Sequence, residues 1–213
     1  MRHPASSPGT GCSSGAVESP ALYPVFLKLA GRAVLVVGGG HVAAGRLPSL
    51  LASGAVVTLV APEVQAGIKG LALRVERRAF RPADVEGAWL VVAAATPEVN
   101  RAVGAAAEER GIFVNAVDDP GAASAYTGGV LRRAGITVAL STEGRAPALA
   151  GLLREALEAA IPEDAATWVA VAQELRREQK ARGVPLGRRR QLLLQALQRL
   201  YSERAARAVE ARP

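Results

Sequence analysis

Ala33-Val-Leu-Val-Val-Gly-Gly-Gly-His-Val-Ala-Ala44 is the stretch around which the rest of the chain is arranged. Ala33 to Val37 is an apolar run that reads as a buried strand, and the three glycines that follow break it. A helical periodicity begins at once, with Ala43, Leu47, Leu50 and Leu51 on one face and Gly54 as the stop. Strand, glycine turn and helix in that order form the context that a dinucleotide fingerprint requires. Gly38 allows the tight turn, Gly39 continues it, and Gly40 lets the backbone come close to a pyrophosphate. The helix that follows then offers its free N–H groups to phosphate oxygens. Ala43 takes the third small position, where a methyl still permits close packing of helix on strand. A plain strand-to-helix turn does not need three glycines in a row.

The surrounding composition fits an α/β protein. The chain has 213 residues, half of them hydrophobic and few of them aromatic, enough for one domain or two small ones with a real core. Lys and Arg number 26 against 19 Asp and Glu, a formal charge of +7 carried almost wholly by arginine. That balance permits nucleic acid, a membrane surface or an anionic substrate without choosing among them. Cys12 is the only cysteine, which excludes a disulfide framework and fits a reducing cytoplasm. Residues 1–20, rich in Ser, Gly and Pro, read as a disordered tail with no signal-peptide core. No apolar run reaches membrane-spanning length.

Taken in order, Ala21 to Ala30 is an apolar lead-in, and the fingerprint strand and helix follow, with Pro48 expected to kink that helix. Further strands are expected at Val56 to Val60, Leu71 to Val75, Trp89 to Ala94 and Ile112 to Val117, with a short helix or turn at Pro82 to Glu86. Thr96 can cap a helix that carries Pro97 in its first turn and ends at Gly111. This alternation predicts a Rossmann-type parallel sheet over residues 21–124. Ligands of such sheets sit beyond the carboxyl ends of the strands. Gly38 to Val42, Ala61 to Glu63, Ala94 to Thr96 and Val117 to Asp119 are therefore expected to converge on one crevice.

The pattern changes after Pro120. Tyr126 to Leu131 and Ile136 to Ser141 read as a hairpin, and Pro147 to Ala160 as a helix with Leu149, Leu152, Leu153, Ala156 and Leu157 on one face. Residues 125–161 are too thin for a core of their own and are expected to serve as a dimerisation segment. Residues 162–213 read as a helical domain, with one helix from Asp164 to about Arg182 and a last one from Arg188 to about Arg212.

A dinucleotide fold usually places an acidic residue after its second strand to hold the ribose. Here that place holds Ala61-Pro62, with Glu63 slightly late and no arginine before Arg74, which favours NAD over NADP. Glu63 could equally be a solvated turn residue. Asp118 and Asp119 follow the fifth strand, where a carboxylate can exchange a proton during hydride transfer, although Asp-Asp-Pro is also ordinary turn chemistry. His3 and His41 are the only histidines, so a stable protein metal site is not expected.

The chain resembles the precorrin-2 dehydrogenase / sirohydrochlorin ferrochelatase family, which includes the N-terminal region of siroheme synthases. The likeness runs from Tyr23 to Tyr201 and rests on several motifs together. These are Tyr-Pro-Val-Phe-Leu at 23–27, Val-Gly-Gly-Gly-His-Val-Ala at 37–43, Thr-Leu-Val-Ala-Pro at 58–62, and Ala-Ala-Thr at 94–96 followed by Asn100. Asn-Ala-Val-Asp at 115–118, Ser-Thr-Glu-Gly-Arg-Ala-Pro at 141–147 and Leu-Leu-Arg at 152–154 complete the set. The resemblance implies NAD-dependent oxidation of precorrin-2 to sirohydrochlorin on a route to sirohaem or cobalamin, with iron insertion as a further activity of some members, in a homodimer. It implies that His41, Val42, Pro62 and Glu63 join Gly38, Gly39, Gly40 and Thr96 around NAD, and that Asp118 is the functional aspartate rather than Asp119. It also implies that Ser141, Thr142, Gly144 and Arg145 line the tetrapyrrole site. The chain departs from its relatives at Gly45-Arg46, at Pro48 and at Ala146, where a serine is frequent.

A polycarboxylate tetrapyrrole gives the arginines a use, with Arg132, Arg133 and Arg145 as candidates, while Arg188 to Arg190 read equally as a solvated helix face. Two other classes remain. A non-catalytic dinucleotide-sensing Rossmann module would bind NAD but leaves residues 141–147 without a task. A nucleic-acid binder needs aromatics among its basic helices, and only Trp168 and Tyr201 stand there, so no nucleic-acid partner is expected.

Overall fold

The computed structural model describes residues 21–117, 119–143 and 145–210. The tail at 1–20, Asp118, Gly144 and residues beyond 210 lie outside the described residues. The first half is a five-stranded parallel sheet in the order β3-β2-β1-β4-β5, built from β1 (Ala33–Val37), β2 (Val56–Val60), β3 (Arg74–Glu76), β4 (Leu90–Ala93) and β5 (Phe113–Ala116). Two helices cover it, α1 (His41–Ala52) and α2 (Pro97–Glu108). β1 pairs with β2 from Ala33 opposite Val56, and with β4 from Val34 opposite Leu90. The chain moves outward through β2 and β3 and then returns to the far side of β1, so the strand order reverses between β1 and β4. That reversal is where open α/β sheets bind nucleotides.

Alternate strand residues serve two cores, which is why the strands read as unbroken apolar runs. Val34, Val36, Val57, Leu59 and Val92 face Ala43, Leu47 and Leu50 of α1. Leu35, Val37, Val60, Val91, Ala93, Val114 and Ala116 share the other core with Val103, Ala106 and Ala107 of α2. Pro48 does not interrupt α1, which runs on to Ala52. Its ring is exposed, and the burial of Ala43, Leu47 and Leu50 holds the helix where one backbone bond is missing.

β3 starts later than the apolar run suggests. Leu71 and Leu73 pack against the α1 core from a loop whose N–H groups bond locally, Leu71 to Ile68 O and Leu73 to Leu71 O, and pairing begins only where Arg74 reaches Thr58. Pro82–Val85 is a short 3₁₀ turn. Asp84 organises it, accepting the Arg81 N–H at 2.8 Å and two bonds from the Arg78 guanidinium at 2.7 and 2.8 Å. The bond from Arg78 is the main reason that the Asp84 carboxyl sits below its usual range.

The second half begins with the hairpin β6 (Gly129–Arg133) and β7 (Ile136–Leu140), followed by α3 (Pro147–Ala160), α4 (Ala165–Ala181) and α5 (Leu186–Glu210). β6 starts after the expected Tyr126 because the preceding segment is bonded back to β5: Ser124 and Ala125 donate their N–H groups to Val114 O. α3 packs on β6, yet Leu149, Leu152, Leu153 and Leu157 remain 37–65% exposed on it. α4 and α5 pack together, with Trp168 edge-on to Tyr201 at 5.6 Å. Among the described residues no helix is long and apolar enough to cross a membrane.

Ala134 and Gly135 connect β6 to β7 with φ of 52° and 79°, the two-residue turn whose twist suits a hairpin. An alanine in the left-handed region is strained, whereas asparagine enters it readily. Ala134→Asn should therefore stabilise the protein by about 0.5–1 kcal/mol, read as a higher urea midpoint at unchanged slope, and Ala134→Val should lower the midpoint.

Candidate functional site

The four strand ends are tied together by backbone contacts. Gly38 donates to Val60 O at 3.0 Å, Ala94 to Val37 O at 2.8 Å, and Val117 to Ala93 O at 2.9 Å. Gly38 has a φ of 114°, and a Cβ added to it would stand 2.1 Å from Ala94 O. A Cβ on Gly39 would stand 2.1 Å from Glu63 O, and Gln65 N–H donates to Gly39 O at 2.9 Å. Both glycines are buried and both are required by the protein's own backbone.

Gly40 differs. It is exposed, its φ of −85° and ψ of −168° suit any residue, and a Cβ there would meet nothing within 4 Å. The space in front of it lies at the N-terminus of α1, where Ala44 is the first residue to donate along the helix, to Gly40 O at 3.0 Å. The N–H groups of His41, Val42 and Ala43 therefore have no partner within α1, and no acidic side chain occupies its first turn. Open space, free donors and the positive end of a helix dipole together fit a pyrophosphate. Such an arrangement is the phosphate-binding end of a dinucleotide crevice in an open α/β sheet.

The rim carries Pro62, Glu63, His41, Val42 and Thr96, all exposed. Thr96 stands at the N-cap of α2 without making the side-chain cap expected of it. Its hydroxyl instead bonds to Glu98, whose carboxyl lies below the ordinary range chiefly through its own backbone N–H and then through Thr96. Asn100, only 3% exposed, spans the crevice floor. Its Oδ1 accepts the Ala95 N–H at 2.9 Å, and its Nδ2 reaches Val117 O at 3.5 Å, so one amide joins the loop after β4 to the turn after β5. The sequence offered one signal for this role, an asparagine on the inner face of an otherwise apolar helix.

Asp118 lies outside the described residues, and its neighbours have defined duties. Val117 is held at both its N–H and its carbonyl, while Asp119 Oδ1 accepts the Ala122 N–H at 3.3 Å and closes the Pro120–Ala122 turn. On the other side of β5, Asn115 Nδ2 donates to Ala125 O at 2.9 Å and Thr127 Oγ1 reaches Asn115 Oδ1 at 3.4 Å. Residue 128 then runs against the end of β7: a Cβ on Gly128 would be 1.9 Å from Leu140 O and 3.3 Å from Ser141 Cα. Residues 127 and 128 thus lead from Asn115 of β5 to the end of β7, from which the 141–145 turn starts.

Within that turn, Ser141 Oγ accepts the Glu143 N–H at 3.0 Å and Thr142 Oγ1 accepts the Ala146 N–H at 3.2 Å. Glu143 takes a left-handed φ of 55°, and its carboxylate pairs with the exposed Arg145 guanidinium. Gly144 lies outside the described residues. A separate cleft of about 220 Å³ on the β1–β3 face is neutralised by its own Arg74–Glu76 and Arg78–Asp84 pairs. It is a structural feature rather than part of the crevice. Among the described residues no three His, Cys, Asp or Glu side chains gather to hold a metal ion.

Comparison with known proteins bears directly on this geometry. A family described as "Putative NAD(P)-binding" matches residues 25–129, the span of the sheet and its crevice. Siroheme synthase 1 of Aeromonas salmonicida is 42% identical over 176 residues, covering 79% of this chain and 37% of that protein. The siroheme synthase of Photorhabdus laumondii is 38% identical over 178 residues, covering 81% of this chain and 38% of that protein. The solved structure of SirC, a precorrin-2 dehydrogenase, superposes with a TM-score of 0.64 at 28% identity, covering 82% of this chain and 88% of that one. The chain is thus related over about four-fifths of its length to siroheme synthases and to a precorrin-2 dehydrogenase. It spans well under half the length of the siroheme synthases it matches. The likeness to SirC covers the fold as a whole, since it extends beyond the span of the Rossmann sheet.

The three glycines should separate by function. Gly40→Val should fold like the parent but lose NAD affinity at least about tenfold, by calorimetric titration. Gly38→Val and Gly39→Val should lose stability first, seen as a fall in thermal midpoint. A Gly40→Val protein that binds NAD as tightly as the parent would move the phosphate site elsewhere.

Proposed function

We propose that this chain oxidises precorrin-2 to sirohydrochlorin with NAD in the crevice at the β1/β4 reversal, and that Asp118 is the general base. The observation that carries this reading is the convergence of the strand ends: the nucleotide loop at Gly38–Val42 and the turn after β5 are joined through Ala94 and Asn100. The likeness to SirC, a precorrin-2 dehydrogenase, suggests the substrate class. When bound, NAD supplies the hydride acceptor. The chain's own residues have two remaining tasks, to orient the tetrapyrrole and to take the proton that leaves with the hydride. The α1 N-terminus, with His41 and Val42, holds the pyrophosphate, while Pro62, Glu63 and Thr96 flank the rest of the nucleotide. Ser141, Thr142, Gly144 and Arg145 line the tetrapyrrole side, and Arg132 and Arg133 add positive charge that draws a polycarboxylate.

Asp118 is preferred over Asp119 because Asp119 already serves the turn through Ala122. Proton transfer by a positioned group contributes about 10²–10⁴ in rate. Asp118→Asn should keep NAD affinity while NADH formation from precorrin-2 falls by at least about a hundredfold. Asp119→Asn should act mainly on stability. The measurement is anaerobic incubation with precorrin-2 and NAD, followed by absorbance. Turnover that is equal in parent and Asp118→Asn would remove Asp118 from the mechanism, and a parent that binds NAD without turnover would point to the sensor instead.

The same reading takes residues 21–124 as the nucleotide domain, 125–161 as a dimerisation segment and 162–213 as a helical domain, in a cytoplasmic homodimer. The exposed leucines of α3, beside a hairpin in which only Leu131 is buried, support a second copy of the chain as their cover. Sedimentation at micromolar concentration should give a dimer, and Leu152→Glu with Leu153→Glu should shift it to monomer. A parent that sediments as a monomer would overturn this assembly.

A further inference from the structure

Far from the glycine turn in sequence, α4 and α5 enclose a groove of about 390 Å³ whose chemistry the oxidation does not use. Its floor is apolar, formed in part by the half-buried Leu175 and Leu193 with the exposed Leu186 at its edge, and Arg176, Arg189 and Arg190 stand around it. Gln179 lies on the same lining, 5% exposed, and its Nε2 has no hydrogen-bond partner. A buried amide donor left without an acceptor is costly, so this position calls for an acceptor from outside the chain.

The arginines point to the same class of group. Arg74, Arg78, Arg101, Arg110, Arg145, Arg154 and Arg177 all pair with carboxylates of the chain. Among the described residues none of Arg176, Arg189 and Arg190 does so. Arg189 is positioned by its Nε, which donates to Val184 O at 2.8 Å in the connection between the two helices. Glu174, the acid two residues before Arg176, is engaged by Arg177 on α4. α5 begins at Leu186 with no acidic residue in its first turn, so its positive end adds to the donors. A rim of donors over an apolar floor is complementary to a head that only accepts, carried on an apolar stem. Inorganic phosphate offers the first without the second, and an aliphatic alcohol the reverse.

We propose that the α4–α5 groove is a binding site for a small aliphatic carboxylate, separate from the nucleotide crevice, in which the arginines and the Gln179 amide receive the carboxylate and the leucines receive the stem. A volume near 390 Å³ is at the low end of small-molecule sites, which suits such an acid.

The test uses the full chain and octanoate as the probe, with octan-1-ol and inorganic phosphate as partial probes. Calorimetry should give one saturable octanoate site per chain, with each partial probe at least about tenfold weaker. In protein labelled with ¹⁵N-glutamine, octanoate should shift the Gln179 side-chain amide resonance, assigned by its absence in Gln179→Leu. Arg176→Gln combined with Arg190→Gln should weaken octanoate at least about tenfold. Gln179→Leu should also weaken it while leaving the thermal midpoint no lower than the parent's, since the variant removes an unpaired buried donor. The proposal is overturned if octanoate gives no saturable binding, if octan-1-ol binds as tightly, if the double arginine variant binds unchanged, or if the Gln179 resonance stays still.

Discussion

Two contacts between glycine and a carbonyl hold the nucleotide half in its working shape. Any side chain on Gly38 would be driven into Ala94 O, and any on Gly39 into Glu63 O, each at 2.1 Å. Such distances leave no room for adjustment, because the opposing atoms are backbone and the strands behind them are paired on both sides. The end of β1 is thereby fixed against β4 on one side and the β2 turn on the other. The start of α1 has only one direction left, across the reversal in strand order, and its buried face of Ala43, Leu47 and Leu50 keeps it there. The exposure of Gly40 is a consequence: the first two glycines meet the demands of packing, and the third faces open space at the start of α1.

Much of this was legible in the sequence because burial on both faces leaves a simple trace. β1 and β2 fall on the expected residues, and β4 and β5 lie within theirs, shortened only at the ends. α3 runs from Pro147 to Ala160 as expected, since proline suits a first helical position and Pro162 lies beyond the end. β3 was less legible. Leu71 and Leu73 are partly buried in the same core as strand residues, and apolar pattern alone does not separate a packed loop from an edge strand. The hydrogen bonds of the site were hidden for another reason. Asn100 joins residues 5 before it and 17 after it, a relation that exists only once the sheet is assembled. The Thr96 hydroxyl had two local partners open to it, a backbone N–H of α2 from which to accept or the Glu98 carboxylate to which to donate, and composition does not decide between them.

The two halves use similar apolar content in different ways. In the sheet half, helix and strand faces meet, and valines and leucines such as Val36, Leu47, Leu59 and Val91 are fully buried. In the hairpin half, the leucines of α3 follow the same helical spacing but only Ala150 of that helix is buried. Spacing identifies a face that needs covering; it does not identify what covers it. The pattern therefore reads the same in α1, which is covered by its own sheet, and in α3, which leaves its leucines open.

Polar groups follow a parallel division. At the crevice, the buried amides of Asn100 and Asn115 are joined to backbone groups of neighbouring loops, so the floor is stiff and its free donors are confined to the α1 N-terminus, where exposure makes them cheap until an anion arrives. The 141–145 turn has a different character. It is fastened by Ser141 and Thr142, the hydroxyl residues expected to line the tetrapyrrole side, and it holds Glu143 in a left-handed conformation. Such a residue persists only where its surroundings impose it. Here the imposed conformation brings the Glu143 carboxylate to Arg145, so that any other anion approaching Arg145 must compete with an internal carboxylate. Charge attraction at this turn is therefore partly spent within the protein, in an exposed ion pair that is individually weak but has to be exchanged before another anion can take its place.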